Sequence, residues 1–136
     1  MTIRAYTPAD FDTVAAWAKA RDMALIPQLL SPNGFLVEDD DGPLMVCFVY
    51  LVFDCPFVFM DHLFSRPNSS LKASLKAWAM IWRTTKTFLS NLRDCNGEPI
   101  SYKFVRNFCR PELARLIKKD GWHLADRPSL QVIYAL

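Results

Sequence analysis

The residues best suited to chemistry lie in one short stretch, residues 61–82, which reads DHLFSRPNSSLKASLKAWAMIW. An aromatic run ends at Arg66 and Pro67, and a helical pattern starts after residues 68–70. Backbone N–H groups at a helix start attract anions, so a strand-to-helix turn of this kind can hold a phosphate. The glycines that usually let a pyrophosphate approach are missing from it. The turn is therefore either a phosphate site or a simple connection.

The charges of the chain are unevenly distributed around that turn. Residues 1–65 hold three Lys or Arg against nine Asp or Glu, whereas residues 66–119 hold twelve against three. A basic half of this kind suits a nucleic acid or a phosphorylated small molecule, and it is also typical of a solvated helix face. Because no recognition-helix, RNP or zinc-finger pattern accompanies it, nucleic acid is the less favoured partner.

Hydrophobic spacing predicts the elements that must position the turn. Apolar and polar residues alternate in strands and recur at helical spacing elsewhere, which gives the order β α (α) β β β α β α β β. The turn residues around Asp40 and Gly42 predict a hairpin, and Gly121 predicts a helix end. The strands are expected near residues 2–6, 34–39, 43–53, 57–64, 100–106, 122–125 and 130–136, and the main helices near 8–21, 70–92 and 110–119.

Length and composition indicate the class of protein. The chain has 136 residues, 51% of them hydrophobic, which suits one domain over residues 1–136. We find no apolar leader and no run of about 18 apolar residues, so a cytoplasmic protein that does not enter a membrane is expected. The four cysteines lack CxxC spacing, which predicts reduced thiols and no metal site. Beside Arg106 and Arg110, Cys109 is either a reactive thiolate or an inert thiol.

This order of elements resembles that of the GNAT family of N-acetyltransferases over nearly the whole chain. The most specific segments are MDHLFSRP, which is similar to the family's fourth strand before its CoA loop, and ARLIKKDGW, which is similar to a helix end of the family. The resemblance implies an α/β fold with a mixed, mostly antiparallel sheet flanked by helices. It also implies acetyl-CoA as co-substrate and an amine of a small molecule, peptide or protein as acceptor.

The resemblance also implies where acetyl-CoA binds. In the family its diphosphate lies on the loop and helix start after the fourth strand, and residues 70–75 fall on the Arg/Gln-x-x-Gly-x-Gly/Ala segment found there. Lys72 is the residue of this segment that can pair with a phosphate, and the amides near Leu63 and Ser65 are expected to stabilise the oxyanion. The residues implied to bind the co-substrate are Leu63, Ser65, Asn68, Ser69, Ser70, Lys72, Ala73 and Asn107, with Arg110 as the alternative to Asn107.

Catalytic residues follow from the same resemblance. Asp61 falls where relatives carry the carboxylate that deprotonates the amine; the alternative is a solvated strand-end carboxylate. Strand alternation then places His62 on the opposite face of the sheet. Ile117 stands where the family often has the tyrosine that protonates the leaving thiolate. Tyr102 and Tyr134 are the candidates to replace it.

Two functions remain open at this stage. The first is an enzyme that transfers the acyl group directly. The second is a non-catalytic GNAT-like binding or assembly protein, similar to small virion-associated proteins of tailed phages. The missing glycines and the missing tyrosine favour this second function. The acceptor and the oligomeric state do not follow from the sequence.

Overall fold

The computed structural model describes residues 1–109 and 111–123, and within them it contains five strands and three α-helices. The strands are β1 (Thr2–Ala5), β2 (Gly34–Asp39), β3 (Gly42–Leu51), β4 (Phe57–Ser65) and β5 (Phe104–Asn107). The α-helices are α1 (Phe11–Lys19), α2 (Leu71–Ser90) and α3 (Pro111–Ile117), and short 3-10 turns span Pro8–Asp10, Pro27–Leu29 and Lys118–Asp120. The strand predicted at residues 130–136, and most of the one at 122–125, lie outside the described residues.

The strands form one sheet in the order β1-β2-β3-β4-β5. Each pair from β1 to β4 is antiparallel, and β4 pairs with β5 in parallel. The predicted hairpin joins β2 to β3 and turns at Gly42, whose φ is 98°. The predicted mixed and mostly antiparallel sheet is confirmed.

Helices cover both faces of the sheet. On one face α1 packs through Val14, Trp17 and Ala18 against a cluster that includes Phe48 and Phe64. On the other face, α2 and the end of α3 cover a second cluster of sheet residues. The middle of β3, residues 44–49, is buried throughout because both of its faces are covered. In this way the packing fixes β3 and β4, the two strands next to the candidate site.

Strand β5 is shorter than the sequence predicts. Residues 100–106 alternate as a strand does, but the structure begins pairing at Phe104. The N–H of Ile100 donates instead to the carbonyl oxygen of Leu92, just after α2, at 3.1 Å. Residues 99 and 100 are thus held near the end of α2, whereas the N–H of Lys103 already donates to the carbonyl oxygen of Pro56, just before β4, at 2.8 Å.

An ion pair fastens β1 to the start of α1 and gives the fold a pH dependence. Arg4 donates to both carboxylate oxygens of Asp10, at 2.7 and 2.8 Å. Hydrogen bonds from Arg4 lower the pKa of Asp10 to about 2, from an ordinary 3.8. A lowered carboxylate pKa stabilises the fold above the unfolded-state value, and the gain is lost as the pH falls through the folded-state value.

We therefore expect the free energy of unfolding to fall by about 1–2 kcal/mol between roughly pH 4 and pH 2, after discounting for the 38% exposure of Arg4. Asp10→Asn should remove most of this acid-dependent loss, whereas Asp12→Asn, at an exposed position of α1, should retain it. Urea unfolding at a series of pH values measures the difference. Identical pH dependence in the wild type and Asp10→Asn would contradict the assignment.

Two properties of the described residues concern the predicted class of protein, namely its helices and its cysteines. None of their helices is both long and apolar enough to cross a membrane. The four cysteines carry free thiols, and burial raises the pKa of Cys109, which argues against a reactive thiolate there.

Candidate active site

The sheet opens between β4 and β5. Their parallel pairing runs from Phe57 opposite Phe104 to Met60 opposite Asn107. Past this point, the N–H of Phe108 donates to the carbonyl oxygen of Met60 at 3.3 Å. Strand β4 continues for five more residues, to Ser65, with β3 as its neighbour. Among the described strands, residues 61–65 therefore have a partner on one side only, and we call this opening the fork.

A β-bulge lies in β4 at the fork. Phe48 pairs with Asp61 and Val46 with Phe64, so two residues of β4 face the single Cys47 of β3. His62, the first of these two, has a φ of 51°, in the left-handed region. The alternation of antiparallel pairs turns the N–H groups of Leu63 and Ser65 away from β3 and toward the fork. Two of the residues implied to bind acetyl-CoA thus point backbone donors into this opening.

Asp61 lies at the start of the bulge. It pairs with Phe48, whose side chain packs on the α1 face, so Asp61 lies on that face as well. One of its carboxylate oxygens accepts the N–H of His62 at 2.7 Å, and the other is 3.9 Å from His62 Nδ1. The prediction that His62 lies on the opposite face is wrong, because the bulge interrupts the alternation of side chains.

A hydrogen bond between Tyr50 and His62 joins β3 to the bulge. The Tyr50 hydroxyl is 2.8 Å from His62 Nδ1. Burial, together with the nearby Asp61 carboxylate, raises the pKa of Tyr50 to about 12, so its phenol stays protonated at neutral pH. Sequence reasoning missed this contact because it depends on the register between β3 and β4. The tyrosine and the histidine hold the bulge, and with it Asp61, in a fixed position.

The connection from β4 to α2 is a tight turn that starts the helix. The N–H of Ser69 donates to the carbonyl oxygen of Arg66 at 3.3 Å, and Asn68 has the positive φ, 60°, that such a turn requires. Ser70 caps the helix by accepting the N–H of Ala73 at 3.1 Å. The N–H of Leu71, at the first helical position, has no acceptor within the helix. A helix start with a free backbone donor therefore lies at the end of the fork.

Two basic residues flank this helix start, and they differ in their contacts. Arg66 donates to both carboxylate oxygens of Asp39, at 2.8 and 3.1 Å, and so forms an ion pair with the β2–β3 hairpin. Lys72 is exposed and forms no ion pair within the described part of the chain. Leu71 is 63% exposed, so its side chain lies largely in solvent. Lys72 is thus the cation available to an anion at this helix start.

Asn107 lies on the opposite side of the fork from the bulge. Its side-chain nitrogen and oxygen are both buried, and neither has a hydrogen-bond partner among residues 1–109 and 111–123. An unsatisfied buried carboxamide is costly, and each such group calls for an explanation. A polar ligand in the fork would satisfy it.

The remaining predicted residues lie elsewhere. The Tyr102 hydroxyl donates to the carbonyl oxygen of Val52 at 3.1 Å, just before β5 and at the end of the sheet remote from the bulge, so the structure does not bring it to Asp61. Tyr134 and Arg110, the alternative to Asn107, lie outside the described residues. Ile117, where the family often has tyrosine, is buried in the core. Within the described ranges no cluster of three His, Cys, Asp or Glu could hold a metal ion.

Sequence comparison alone gives no match: no family model and no curated protein matches the chain. Solved structures do match it. A GNAT-family acetyltransferase from Streptococcus pneumoniae aligns with a TM-score of 0.62 at 14% identity, over 98% of this chain and 97% of that one. An acetyltransferase from Trypanosoma brucei aligns with a TM-score of 0.60 at 8% identity, over 97% and 99% of the two chains.

A third match has a ligand in its structure. The N-acetylglutamate synthase from Neisseria gonorrhoeae, complexed with coenzyme A and N-acetyl-glutamate, aligns with a TM-score of 0.51 at 14% identity. The alignment covers 63% of this chain and 22% of the synthase. Together these likenesses establish that the chain has the fold of the GNAT acetyltransferases, as its resemblance to that family predicted.

Proposed function

We propose that the protein is an acyltransferase that moves the acetyl group of acetyl-CoA directly to an amine. The observation that carries the proposal is the fork, where β4 extends past β5 with a bulge and with backbone donors facing the opening. The proposal is further supported by the Asn107 carboxamide, which is buried without a partner among residues 1–109 and 111–123.

The fork suits the pantetheine arm of CoA. An extended chain with amide groups can add to the free edge of a strand through backbone hydrogen bonds, as peptides do. Asn107 offers both a donor and an acceptor to such a chain. Beyond the fork, the free N–H groups at the start of α2 and the ammonium of Lys72 would hold the diphosphate.

The bulge suits the reacting end of the thioester. The amine nitrogen attacks the carbonyl carbon, the C–N bond forms, and the N–H groups of Leu63 and Ser65 are the donors for the oxyanion. Asp61 takes the proton that the nitrogen loses. The C–S bond then breaks, and CoA leaves as a thiolate that solvent protonates. Direct transfer requires no covalent intermediate on the protein.

A non-catalytic assembly role is the second candidate. It is favoured by the absence of glycine between residues 43 and 96 and by Ile117 at the position of the family's tyrosine. The two candidates differ in how they treat acetyl-CoA. The acyltransferase binds acetyl-CoA and transfers its acetyl group to an amine, whereas an assembly protein whose helix start does not bind the diphosphate does neither.

Lys72→Ala tests whether the helix start holds the diphosphate. Loss of one charge-assisted phosphate contact should weaken acetyl-CoA binding by about 1–3 kcal/mol, roughly 5- to 150-fold in Kd. Lys76→Ala is the matched control, because Lys76 is exposed on α2 one turn further from the loop. Calorimetric titration of both variants gives the comparison. Equal affinities for Lys72→Ala and the wild type would mean that this helix start is only a turn.

A further inference from the structure

Beside the fork lies a set of aromatic rings that are partly or largely exposed. Cross-strand pairing and alternation place them on the face of the sheet that also carries Asp61. We call them the aromatic shelf, which consists of Tyr50, Phe57, Phe59, Phe104 and Phe108. Two of its members are well exposed, Phe104 at 67% and Phe108 at 48%. Large apolar side chains left in contact with water in one group mark a binding surface.

The rings of the shelf form a continuous surface. The Phe59 ring stacks on that of Phe108, with centroids 5.9 Å apart, and meets the edge of Phe57 at 4.9 Å. Tyr50 pairs with Phe59 across the strands. Because Phe59 and Asp61 are two residues apart in β4 before the bulge, they lie next to each other on one face. The shelf therefore leads directly to the carboxylate that the proposed function makes the base.

On the Tyr50 side, the two chain segments that border the shelf are uncharged. Residues 23–37, part of which lies beside Tyr50, and residues 42–53, which include Tyr50, contain no Asp, Glu, Lys, Arg or His. Leu29, Leu30 and Leu51 line an open depression of about 310 Å³ that also includes Tyr50. On β5, Arg106 pairs with Phe59 and so lies on the same face as the shelf, with its guanidinium 5.9 Å from the centre of the Phe108 ring. A ligand body there meets apolar and aromatic surface.

We propose that the acyl acceptor is an arylalkylamine, whose ring lies on the aromatic shelf and whose nitrogen reaches Asp61. This inference rests on the proposed acyltransferase function and specifies its acceptor. Asp61 attracts the ammonium end, and the ring gains contact with aromatic surface that is otherwise in water. Polyamines are disfavoured because, among the shelf residues that the structure describes, none is an acid that could pair with a second ammonium taken out of water.

A set of acceptors tests the class directly. With acetyl-CoA as donor, kcat/KM should be highest for phenylethylamine and lower for hexylamine. For cadaverine and for β-alanine, kcat/KM should be at least about tenfold below the value for phenylethylamine. Along a series of alkylamines, each methylene that reaches the shelf should raise kcat/KM about three- to fourfold. A preference for cadaverine or β-alanine, or no turnover of the apolar amines by protein that binds acetyl-CoA, overturns the inference.

Phe59→Ser tests the location. It should raise KM for phenylethylamine about tenfold while acetyl-CoA affinity stays at the wild-type value, since the shelf lies on the acceptor side. Phe53→Ser is the matched control, because Phe53 is fully exposed and lies outside the shelf. Circular dichroism checks that both variants fold. An unchanged KM in Phe59→Ser places the acceptor elsewhere.

Two further measurements separate the other outcomes. If the shelf is covered by a second copy of the chain, sedimentation will show a dimer that Phe59→Ser dissociates, and the acceptor assignment is then wrong. Failure of the wild type to bind acetyl-CoA is a different result, because it removes the acyltransferase itself. Binding of acetyl-CoA combined with the wrong acceptor preference overturns the arylalkylamine alone.

Discussion

Asp61→Asn is expected to lower acetyl transfer by roughly 10²- to 10⁴-fold while acetyl-CoA affinity stays near the wild-type value. The carboxylate lies on the α1 face of β4 and not at the helix start, so under the proposed function its loss should affect chemistry and leave donor binding intact. The amide oxygen of the variant can still accept the His62 N–H, so the bulge should persist. Steady-state kinetics with an amine acceptor and calorimetry with acetyl-CoA measure the two effects separately.

The pH dependence makes this prediction more specific. The defect should shrink as the pH rises toward the pKa of the amine, because more of the acceptor then arrives deprotonated and needs no base. Asp54→Asn, an exposed carboxylate in the loop before β4, is the matched control and should keep full activity. Full activity of Asp61→Asn at neutral pH would exclude Asp61 as the base.

Phe48→Ala is expected to cost about 3–5 kcal/mol of unfolding free energy, the usual loss for a buried phenylalanine. Phe48 is fully buried between α1 and the sheet, with its ring centroid 4.8 Å from that of Tyr6 and 6.3 Å from that of His62. Truncation leaves a cavity directly beneath the bulge. Urea unfolding monitored by circular dichroism measures the loss.

Phe104→Ala serves as the comparison for this stability effect. Phe104 is 67% exposed on β5, so the variant should lose no more than about 0.5 kcal/mol. A similar loss for both variants would mean that Phe48 does not support the fold as described.

Most of the architecture follows from local patterns in the sequence. The β2–β3 hairpin, β4 and α2 were predicted to within one or two residues, because alternation, helical spacing and the turn at Gly42 are local signals. The shortening of β5 was not predicted, because the alternation in residues 100–106 does not reveal that the Ile100 N–H bonds to Leu92 across the loop after α2.

The site was predictable only in part. The sequence pattern itself indicated the strand-to-helix turn, and family resemblance led to Asp61 and Asn107; the structure places these around one opening. The bulge and the Tyr50–His62 hydrogen bond depend on how β3 and β4 are offset, and no local pattern in the sequence encodes an extra residue in a strand. The aromatic shelf was missed for a different reason. Aromatic residues in and near strands usually pack in the core, whereas Phe104 and Phe108 are exposed to solvent.

Calorimetric titration of the wild-type protein with acetyl-CoA tests the central claim most directly. An acyltransferase that uses the fork and the start of α2 should bind acetyl-CoA with a Kd in the micromolar range, about −8 kcal/mol, in a 1:1 complex. Desulfo-CoA, which keeps the diphosphate and the pantetheine arm, should bind with similar affinity. No detectable binding of acetyl-CoA at millimolar concentration would contradict the account and leave the non-catalytic assembly role as the better explanation of this fold.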